Sequence, residues 1–338
     1  MNLTADRPRI AVLLPCYNEE AAIGGTVRAF RHALPDATVY VYDNNSRDRT
    51  VEVARAAGAV VRSERLQGKG SVVRRMFADV DADVYVMADG DETYEAAVAP
   101  RMVEQLLAEQ LDMVVGARKS EVEEAYRRGH RFGNRLLTGL LAWLFGRSFT
   151  DILSGYRVFS RRFAKSFPVL SQGFEIETEM SIHSLELRMP VAEVMTAYGA
   201  RPEGSHSKLS TWRDGYRILD TIVTLFRVER PALYYGSIGG LLILLALFLA
   251  APLAVTYAET GLVPRFPTAI LATGLVILGV LSFLAGLILD TVTRGRREMR
   301  RLAYLAQPAP GLDRIAAEGG AATLDRPSSN ADVVRLTA

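Results

Sequence analysis

Two aspartates separated by one residue, Asp89 and Asp91, are the clearest candidates for chemistry in this sequence. They follow Val84 to Ala88, an apolar run with charge in front and Gly90 behind, which predicts a buried strand. An open parallel sheet binds ligands at the carboxyl ends of its strands, and a glycine there lets the backbone approach closely. Carboxylate oxygens at such a place suit Mg²⁺ or Mn²⁺ shared with a diphosphate. The alternative is a polar turn, since Asp and Gly are common turn residues.

Polar residues also follow two earlier predicted strands. The first strand, Arg9 to Pro15, leads into a helix predicted from Asn18 to about Ala33, and the turn contains Pro15, Tyr17, Asn18 and Glu19. The second strand, Ala37 to Tyr42, is followed by Asp43, which could accept hydrogen bonds from a nucleobase or a ribose. Helix capping and an Asx turn explain the same residues without a ligand.

A glycine-rich segment precedes the next helix. Lys69 and Gly70 follow a short strand, Gly58 to Arg62, and suggest contact with an anion through backbone N–H groups. The spacing is not that of a P-loop, so the phosphate signal is weak. Strands and helices alternate with short connections, which predicts an α/β fold with a doubly wound, mostly parallel sheet. Its carboxyl edge would gather Tyr17, Asp43, Lys69, Asp89 and Asp91.

Further strands are predicted at Leu111 to Ala117 and Val191 to Tyr198, and the second is followed by a loop, Arg201 to Leu209, with two basic residues near serines. Arg118 follows the first of them, and Arg131 lies in an arginine- and glycine-rich segment of the kind that binds phosphates. An exposed basic helix face is the better interpretation of Arg127 and Arg128. Glu175, Glu177 and Glu179 alternate, so they do not fit one helix face, and we expect function or capping to hold at least one of them away from solvent.

Composition excludes several classes of protein. The 338 residues carry a formal net charge of +2, so no nucleic-acid partner is indicated. A single cysteine, Cys16, excludes an intrachain disulfide and a cysteine-rich zinc site, and we expect a buried structural thiol. The four histidines show no metal-ligand spacing.

Two uncharged stretches are long enough to cross a bilayer. Residues 231–258 and 266–289 contain no charged side chain, and a membrane-spanning helix needs about 20 apolar residues. A long helix in a soluble core is the alternative. Gly236 and Gly240 are spaced for close packing of the spans, within one chain or in a homo-oligomer.

Charge predicts how the two spans are oriented. Basic residues precede the first span and follow the second, whereas Glu259 and Arg265 are the only charged residues of the connector between them. Both ends should therefore face the cytoplasm, as should the large domain, because MNLTADRPRI lacks the apolar core of a signal peptide. This predicts a multi-pass protein of the inner (cytoplasmic) membrane. The predicted parts are a catalytic domain (1–210), an interfacial amphipathic helix (211–230), two transmembrane helices (231–258 and 266–290) and a disordered tail (302–338).

The sequence resembles the inverting family 2 glycosyltransferases of GT-A fold over roughly residues 8 to 230. The nearest branch resembles dolichol-phosphate mannose synthase and the bacterial polyprenyl-phosphate glycosyltransferases. The motifs occur in order: Pro15-x-Tyr17-Asn18-Glu19, Asp43-x-x-Ser46-x-Asp48-x-Thr50, Gly68-Lys69-Gly70, Asp89-x-Asp91, Asp151-x-x-Ser154-Gly155-Tyr156-Arg157 and Ser207-Lys208.

The resemblance implies a role for each matching residue. A nucleotide-sugar donor, linked to UDP or GDP, would contact Pro15, Tyr17, Glu19, Asp43, Asn44, Lys69, Gly70 and Asp89. Asp91 with Asp89 would bind Mg²⁺ or Mn²⁺ on the diphosphate, and the catalytic group would be Asp89, Asp91, Arg118 and Arg131. The acceptor, a polyprenyl phosphate at the membrane, would meet Arg131, Arg201, Ser205 and Lys208. Relatives commonly have a second acid where Asn44 stands and some have glutamine at the position of Thr93, which leaves a third protein ligand to the metal unassigned.

The chemistry of the acceptor agrees with this resemblance. A polyprenyl phosphate is largely dianionic at neutral pH, because its second pKa is about 6, and needs no general base. Transfer to a lipid hydroxyl is an alternative, and it would need a base such as Glu175, Glu177 or Asp151. A non-catalytic membrane scaffold that binds a nucleotide sugar is the other alternative. The Gln-x-x-Arg-Trp element of processive polysaccharide synthases is absent, which disfavours a polymerising enzyme.

Overall fold

The computed structural model describes residues 8–119, 139, 143, 149–171, 173, 175–199, 220, 223–224, 226–310 and 333–335. The chain divides into two units. The first comprises Met1–Gly215 and Arg300–Ala338, and the second comprises Tyr216–Met299.

The described strands of the first unit form one eight-stranded sheet. They are β1 (Ile10–Cys16), β2 (Thr38–Asp43), β3 (Val60–Ser63), β4 (Val84–Met87), β5 (Met113–Lys119), β6 (Arg157–Ser160), β7 (Val191–Ala197) and β8 (Val333–Arg335). Their order is β3-β2-β1-β4-β6-β5-β7-β8. Strands β1 to β4 pair in parallel, β6 is antiparallel to both β4 and β5, β7 is parallel to β5, and β8 is antiparallel to β7.

Helices connect these strands. They are α1 (Ile23–Ala33), α2 (Thr50–Ala56), α3 (Lys69–Asp79), α4 (Ala99–Ala108), α5 (Arg161–Ser166) and α6 (Ile176–Glu186). Helix α1 buries Ile23, Val27 and Phe30 at helical spacing, so one face packs on the sheet and the other meets solvent. The doubly wound, mostly parallel α/β architecture predicted from the sequence is confirmed.

The strand order places a switch point between β1 and β4. The chain moves outward from β1 through β2 to β3, then returns to the other side of β1 to form β4. Cys16 at the end of β1 is level with Asp43 at the end of β2, and Leu13 is level with Met87 near the end of β4. Ligands of open α/β sheets bind at such a reversal, outside the carboxyl ends of the strands. The predicted polar residues of all three strands follow these ends.

Strand β6 was not predicted from the sequence. Its four residues begin with Arg157, which is fully buried and carries the longest side chain in the centre of the sheet. The guanidinium donates to Ser154 O at 2.8 Å, Ile152 O at 2.6 Å and Ser181 Oγ at 3.0 Å. Burial lowers the pKa of Arg157 to about 10. This pKa is still well above neutral pH, so the side chain stays charged.

The second unit contains two long apolar helices. Helix α7 (Pro231–Thr260) and helix α8 (Phe266–Leu305, whose last residues from Arg300 belong to the first unit) are each long and apolar enough to cross a membrane. Only 11% and 17% of their most apolar windows are buried, whereas the core helix of a soluble protein would be mostly buried. The two helices therefore indicate association with a membrane.

The helices of the second unit pack through small residues. The buried positions of α8 are Ala272, Gly279, Gly286 and Thr293, each seven residues after the one before. A Cβ on Gly239 of α7 would lie 2.7 Å from the carbonyl oxygen of Gly279, so the two backbones touch there. The sequence pointed to Gly236 and Gly240 instead. A Cβ on Gly240 would meet nothing within 4 Å, whereas one on Gly236 would make ordinary contact with Phe283.

Replacing Gly239 by leucine should disrupt this packing. The new side chain would overlap the Gly279 carbonyl and the Phe283 ring, and overpacking of this kind costs about 1–3 kcal/mol. Gly240→Leu is the matched control, because the same enlargement meets open space one residue away. We expect a lower Tm and less monodisperse protein in detergent for Gly239→Leu alone. Equal behaviour of both variants would contradict this packing.

Some predicted segments lie outside the described residues. They include most of the predicted interfacial helix, 211–230, and the residues Arg131, Arg201, Ser205 and Lys208. The tail predicted beyond residue 302 contains the end of α8 at Leu305 and strand β8. Outside these two elements and the turn that follows α8, most of this tail is likewise not described.

Candidate active site

A buried lysine lies between two carboxylates at the switch point of the sheet. Lys69 is the first residue of α3, Asp89 follows β4, and Glu177 is in the first turn of α6. The Lys69 ammonium donates to Asp89 Oδ1 and to Glu177 Oε1. Lys69 and Glu177 are 8% and 6% exposed, whereas Asp89 is 31% exposed and is the member that solvent reaches.

The charge of this cluster follows from its contacts. Burial alone would lower the pKa of Lys69, but the two carboxylates outweigh burial and raise the pKa above its ordinary value. One ammonium therefore serves two carboxylates. The cluster carries net negative charge when both acids are ionised, which suits a cation more than an additional anion.

A glycine allows the main chain to lie against this cluster. A Cβ on Gly155 would lie 2.7 Å from Asp89 Oδ2 and 3.1 Å from Lys69 Nζ, so any side chain there would displace the ion pair. The Gly155 N–H donates to Tyr94 Oη at 3.0 Å, and burial raises the pKa of Tyr94, which keeps the phenol neutral. The Ser154-Gly155 segment is thus held in place against Asp89.

Asp91 is buried and held by its own turn. Its Oδ1 accepts from Thr93 Oγ1 at 2.6 Å and from Thr93 N at 3.3 Å, and the residue is 3% exposed. Gly90 between the two aspartates packs on Cys16, because a Cβ at Gly90 would overlap Cys16 Sγ. The glycine was expected to let a ligand approach the backbone. The structure adds a second reason for a glycine at this position, because the buried Cys16 thiol leaves no room for a side chain.

The donor set at this turn fits a divalent cation in part. Asp89 and Asp91 provide two carboxylates, which are hard oxygen ligands of the kind that Mg²⁺ and Mn²⁺ prefer. Within the part of the chain that the structure describes, no group of three His, Cys, Asp or Glu side chains could hold a metal. The two aspartates therefore suit an ion whose other ligands are water and substrate oxygens, as Mg²⁺ often has with phosphates.

The loops after β1 and β2 are bonded to each other. Asn18 has a φ of +51°, its Oδ1 accepts from Arg47 N at 2.8 Å, and its N–H donates to Ser46 Oγ at 2.9 Å. Asp43 is buried and accepts from Ser46 N at 3.2 Å, and the Glu19 N–H donates to Thr50 Oγ1 at 2.9 Å. These bonds order the region that the sequence assigns to the nucleotide. Pro15 is the last residue but one of β1, and Tyr17 follows the strand.

Asn44 secures the loop that leads to Lys69. Its Nδ2 donates to Glu64 O at 2.9 Å and to Leu66 O at 2.8 Å, and its Oδ1 accepts from Gly68 N at 2.7 Å. The amide thus makes three bonds within the chain. A direct contact of Asn44 with the nucleotide stays a prediction. Gly70, the second residue of α3, is buried behind Lys69.

Arg118 is bonded to Asp151 of the Asp151-to-Arg157 motif. Its Nε and Nη2 donate to Asp151 Oδ2 at 2.7 Å and Oδ1 at 2.9 Å, and its backbone N–H donates to Oδ2 at 3.2 Å. Buried Glu193 accepts from Thr150 N at 2.8 Å and holds the start of this segment. Arg118 lies 5.4 Å over the ring of Tyr198. Its role toward phosphate stays a prediction.

The structure thus brings some of the predicted site residues together. Lys69 contacts Asp89, Asp91 shares the turn of Asp89, and Asp43 is the last residue of β2 on the other side of β1. From the sequence, Glu177 was considered as a base and as one of three glutamates of which at least one is held away from solvent, but its bond to Lys69 was missed. The available signal was the alternation of Glu175, Glu177 and Glu179 at the start of a helix, which forces at least one acid toward the protein. Glu179 instead accepts from Leu170 N and Ser171 N, both at 2.8 Å.

Comparison with known proteins agrees with this architecture. Residues 11–167 match the family model described as glycosyl transferase family 2. Glycosyltransferase AglJ of Haloferax volcanii is 33% identical over 299 residues, which cover 88% of this chain and 98% of that protein. Dolichyl-phosphate hexose transferase of the same organism is 29% identical over 221 residues, 65% of this chain and 95% of the relative.

A solved structure shows the same fold. Glucosyl-3-phosphoglycerate synthase from Mycobacterium tuberculosis, crystallised with Mn²⁺, UDP-glucose and glycerol 3-phosphate, superposes with a TM-score of 0.54 at 26% identity. The match covers 65% of this chain and 79% of that one. The GT-A fold implied by the sequence motifs is thereby confirmed. With this fold and these relatives, the chain belongs to glycosyl transferase family 2.

Proposed function

We propose that this chain transfers a hexosyl or N-acetylhexosaminyl group from a nucleotide sugar to a polyprenyl phosphate, with inversion, at the cytoplasmic face of the inner membrane. The observation that carries the proposal is the acidic site after β4 in a chain that also has two membrane-length helices. Such a chain could use a water-soluble nucleotide sugar as donor and a membrane lipid as acceptor. A relative named dolichyl-phosphate hexose transferase supports the lipid phosphate as acceptor.

The donor would bind at the carboxyl ends of β1, β2 and β4. Pro15, Tyr17, Glu19 and Asp43 would contact the nucleobase and ribose, since the bonds between the two loops hold these residues in one region. The diphosphate would lie toward Asp89 and Asp91, and a Mg²⁺ or Mn²⁺ held by these carboxylates would neutralise charge on the departing nucleoside diphosphate. A related structure holds Mn²⁺ and UDP-glucose, which supports a metal and a nucleotide sugar in this fold.

Positioning would supply most of the catalysis. Lys69, which also donates to Glu177, holds the partly exposed carboxylate of Asp89, and Thr93 holds the carboxylate of Asp91, so both acids are oriented before substrate arrives. The acceptor phosphate is already ionised at neutral pH and attacks without a base. The chain then has only to align the phosphate oxygen with the anomeric carbon. Arg118, with Arg131, Arg201, Ser205 and Lys208, would bind the acceptor phosphate or the sugar.

Two of the three acids considered as a base for a hydroxyl acceptor are engaged by cationic side chains. Both oxygens of Asp151 accept from Arg118, and Glu177 accepts from Lys69. A general base must be able to take the proton of the attacking group, and these two carboxylates are already engaged by cations. The ionised phosphate is therefore the acceptor that the geometry favours.

The test uses the full-length protein in detergent with a polyprenyl phosphate and a panel of UDP- and GDP-linked sugars, with and without Mn²⁺. We expect a metal-dependent product that extracts into organic solvent and releases its sugar in mild acid, because a glycosyl phosphate is acid-labile. An acid-stable glycolipid would indicate transfer to a hydroxyl. Binding of a nucleotide sugar without transfer to any lipid would indicate the non-catalytic scaffold.

A further inference from the structure

The residues that follow the second apolar stretch contact two buried acids of the first unit. Arg300 donates to Glu186, whose side chain is 3% exposed. Tyr304 Oη donates to Asp112 Oδ2 at 2.8 Å, and Asp112 is fully buried. The guanidinium of Arg162 also pairs with Asp112 at 2.9 Å and lies 4.4 Å over the Tyr304 ring. The segment Arg300–Leu305 is therefore part of the packing of this unit.

Helix α6 connects one of these contacts with the candidate active site. Glu186 is its last residue and Glu177 its second, so the two carboxylates are about 13 Å apart along the axis at 1.5 Å per residue. Glu177 accepts from Lys69 at one end, and Glu186 accepts from Arg300 at the other. Between them every residue except Glu179 is buried. A helix enclosed in this way moves as one body.

We propose that Arg300 is a positioning residue for sugar transfer, which acts through helix α6 and Glu177 on the Lys69–Asp89 pair. Its bond to Glu186 fixes the helix along its axis, and this sets Glu177 at the distance that Lys69 requires. Displacement of a catalytic group by about 1 Å can lower a rate about 100-fold. The inference rests on the proposed function, since it concerns the residues that would hold the donor.

A purely stabilising role makes a different prediction. In that case Arg300 only neutralises a buried carboxylate, and its removal would lower Tm without changing the turnover of folded protein. The positioning role predicts a lower kcat that depends on Glu177. The two roles are separated by combining changes at the two ends of α6.

The experiment measures kcat, KM for the donor and Tm for Arg300→Ala and Glu177→Gln singly and together, in the full-length protein. Arg301→Ala is the matched control, because it removes the same charge from an exposed neighbour on the same helix. We expect Arg300→Ala to lower kcat about tenfold or more and to add less than about twofold in the Glu177→Gln background. Arg300→Lys, which keeps a donor for Glu186, should restore most of the kcat.

Equal effects of Arg300→Ala in both backgrounds would overturn the proposal, as would a fall in Tm with unchanged kcat. If Arg300→Ala does not fold, Arg300→Ala with Glu186→Gln removes the charges of both partners and keeps the test. Positioning predicts a low kcat in this double variant, and mere neutralisation predicts a folded protein with the kcat of the wild type.

The same single and double variants can be compared by their Mn²⁺-dependent binding of UDP or GDP, a measurement that does not need the acceptor. The effects of Arg300→Ala and Glu177→Gln on nucleotide binding could be coupled in a protein that transfers no sugar to polyprenyl phosphate. That result would support the positioning role and reject the proposed acceptor. A chain that binds neither nucleotide would overturn both.

Discussion

Replacing Lys69 by methionine should lower sugar transfer by about 10²- to 10³-fold and destabilise the protein by about 3–5 kcal/mol. Both effects follow from the place of this ammonium between two carboxylates. Methionine has a similar length and no charge, so Asp89 and Glu177 would lose the ammonium that lies between them. Glu177 is 6% exposed and could not be solvated in compensation.

The two effects of this substitution should be separable. In the double variant Lys69→Met with Glu177→Gln, the buried unpaired charge is removed, and Asp89 at 31% exposure can be solvated. Most of the stability should return, whereas the transfer rate should stay low because no ammonium orients Asp89. The measurements are Tm in detergent and kcat under donor saturation. Recovery of both quantities in the double variant would show that Lys69 is only a structural counter-charge.

Arg74→Met is the matched control for Lys69→Met, because it removes one positive charge from the same helix. Arg74 lies on α3 and is exposed. We expect its substitution to change both Tm and kcat little, since exposed charges contribute about 0–1 kcal/mol. A decrease in kcat for Arg74→Met as large as that for Lys69→Met would indicate a general effect of net charge.

Long apolar runs made much of the sheet predictable. Residues 11–14 of β1, all of β4 and residues 113–117 of β5 are buried and contain no charged side chain, so these runs stand out from the polar connections. Strand β6 could not be found in this way, because it is four residues long and begins with Arg157. Its position between β4 and β5 depends on hydrogen bonds from that guanidinium to the backbone of the preceding loop.

Local bonds shifted the start of the first helix. The pattern predicted a helix from Asn18, but α1 begins at Ile23. Asn18 has a positive φ and bonds to Ser46 and Arg47 in the following loop, so residues 18–22 serve the contact between two loops before the helix begins. A sequence pattern records the apolar face of a helix. It does not record a partner loop almost thirty residues away.

The same reasoning explains which parts of the site were predictable. Asp89 and Asp91 are separated by one residue and follow a clear strand, so pattern and chemistry coincide there. Glu177 lies 108 residues from Lys69, and nothing local to either residue predicts their bond. Buried ion pairs of this kind are decided by how the helices pack on the sheet. The role of Asn44 in holding the loop before Lys69 is a second example.

Replacing Asp91 by asparagine should lower transfer by about a thousandfold with little loss of stability. A bound divalent cation contributes several kcal/mol to catalysis of this kind, and each 1.4 kcal/mol corresponds to about tenfold in rate. Asparagine keeps the size of Asp91 and an oxygen that accepts from Thr93, so the turn should fold as before. The change removes charge, and with it affinity for the metal. The measurements are kcat at several Mn²⁺ concentrations and Tm.

Glu92→Gln is the matched control for Asp91→Asn, because it makes the same carboxylate-to-amide change one residue away on an exposed side chain. The Glu92 carboxylate lies beside Gly25 of α1, and it is not among the predicted ligands. We expect its activity within about twofold of the wild type. Retention of more than about a tenth of the activity by Asp91→Asn would reject Asp91 as a metal ligand, and an equal loss in both variants would indicate that the turn needs negative charge and no particular carboxylate.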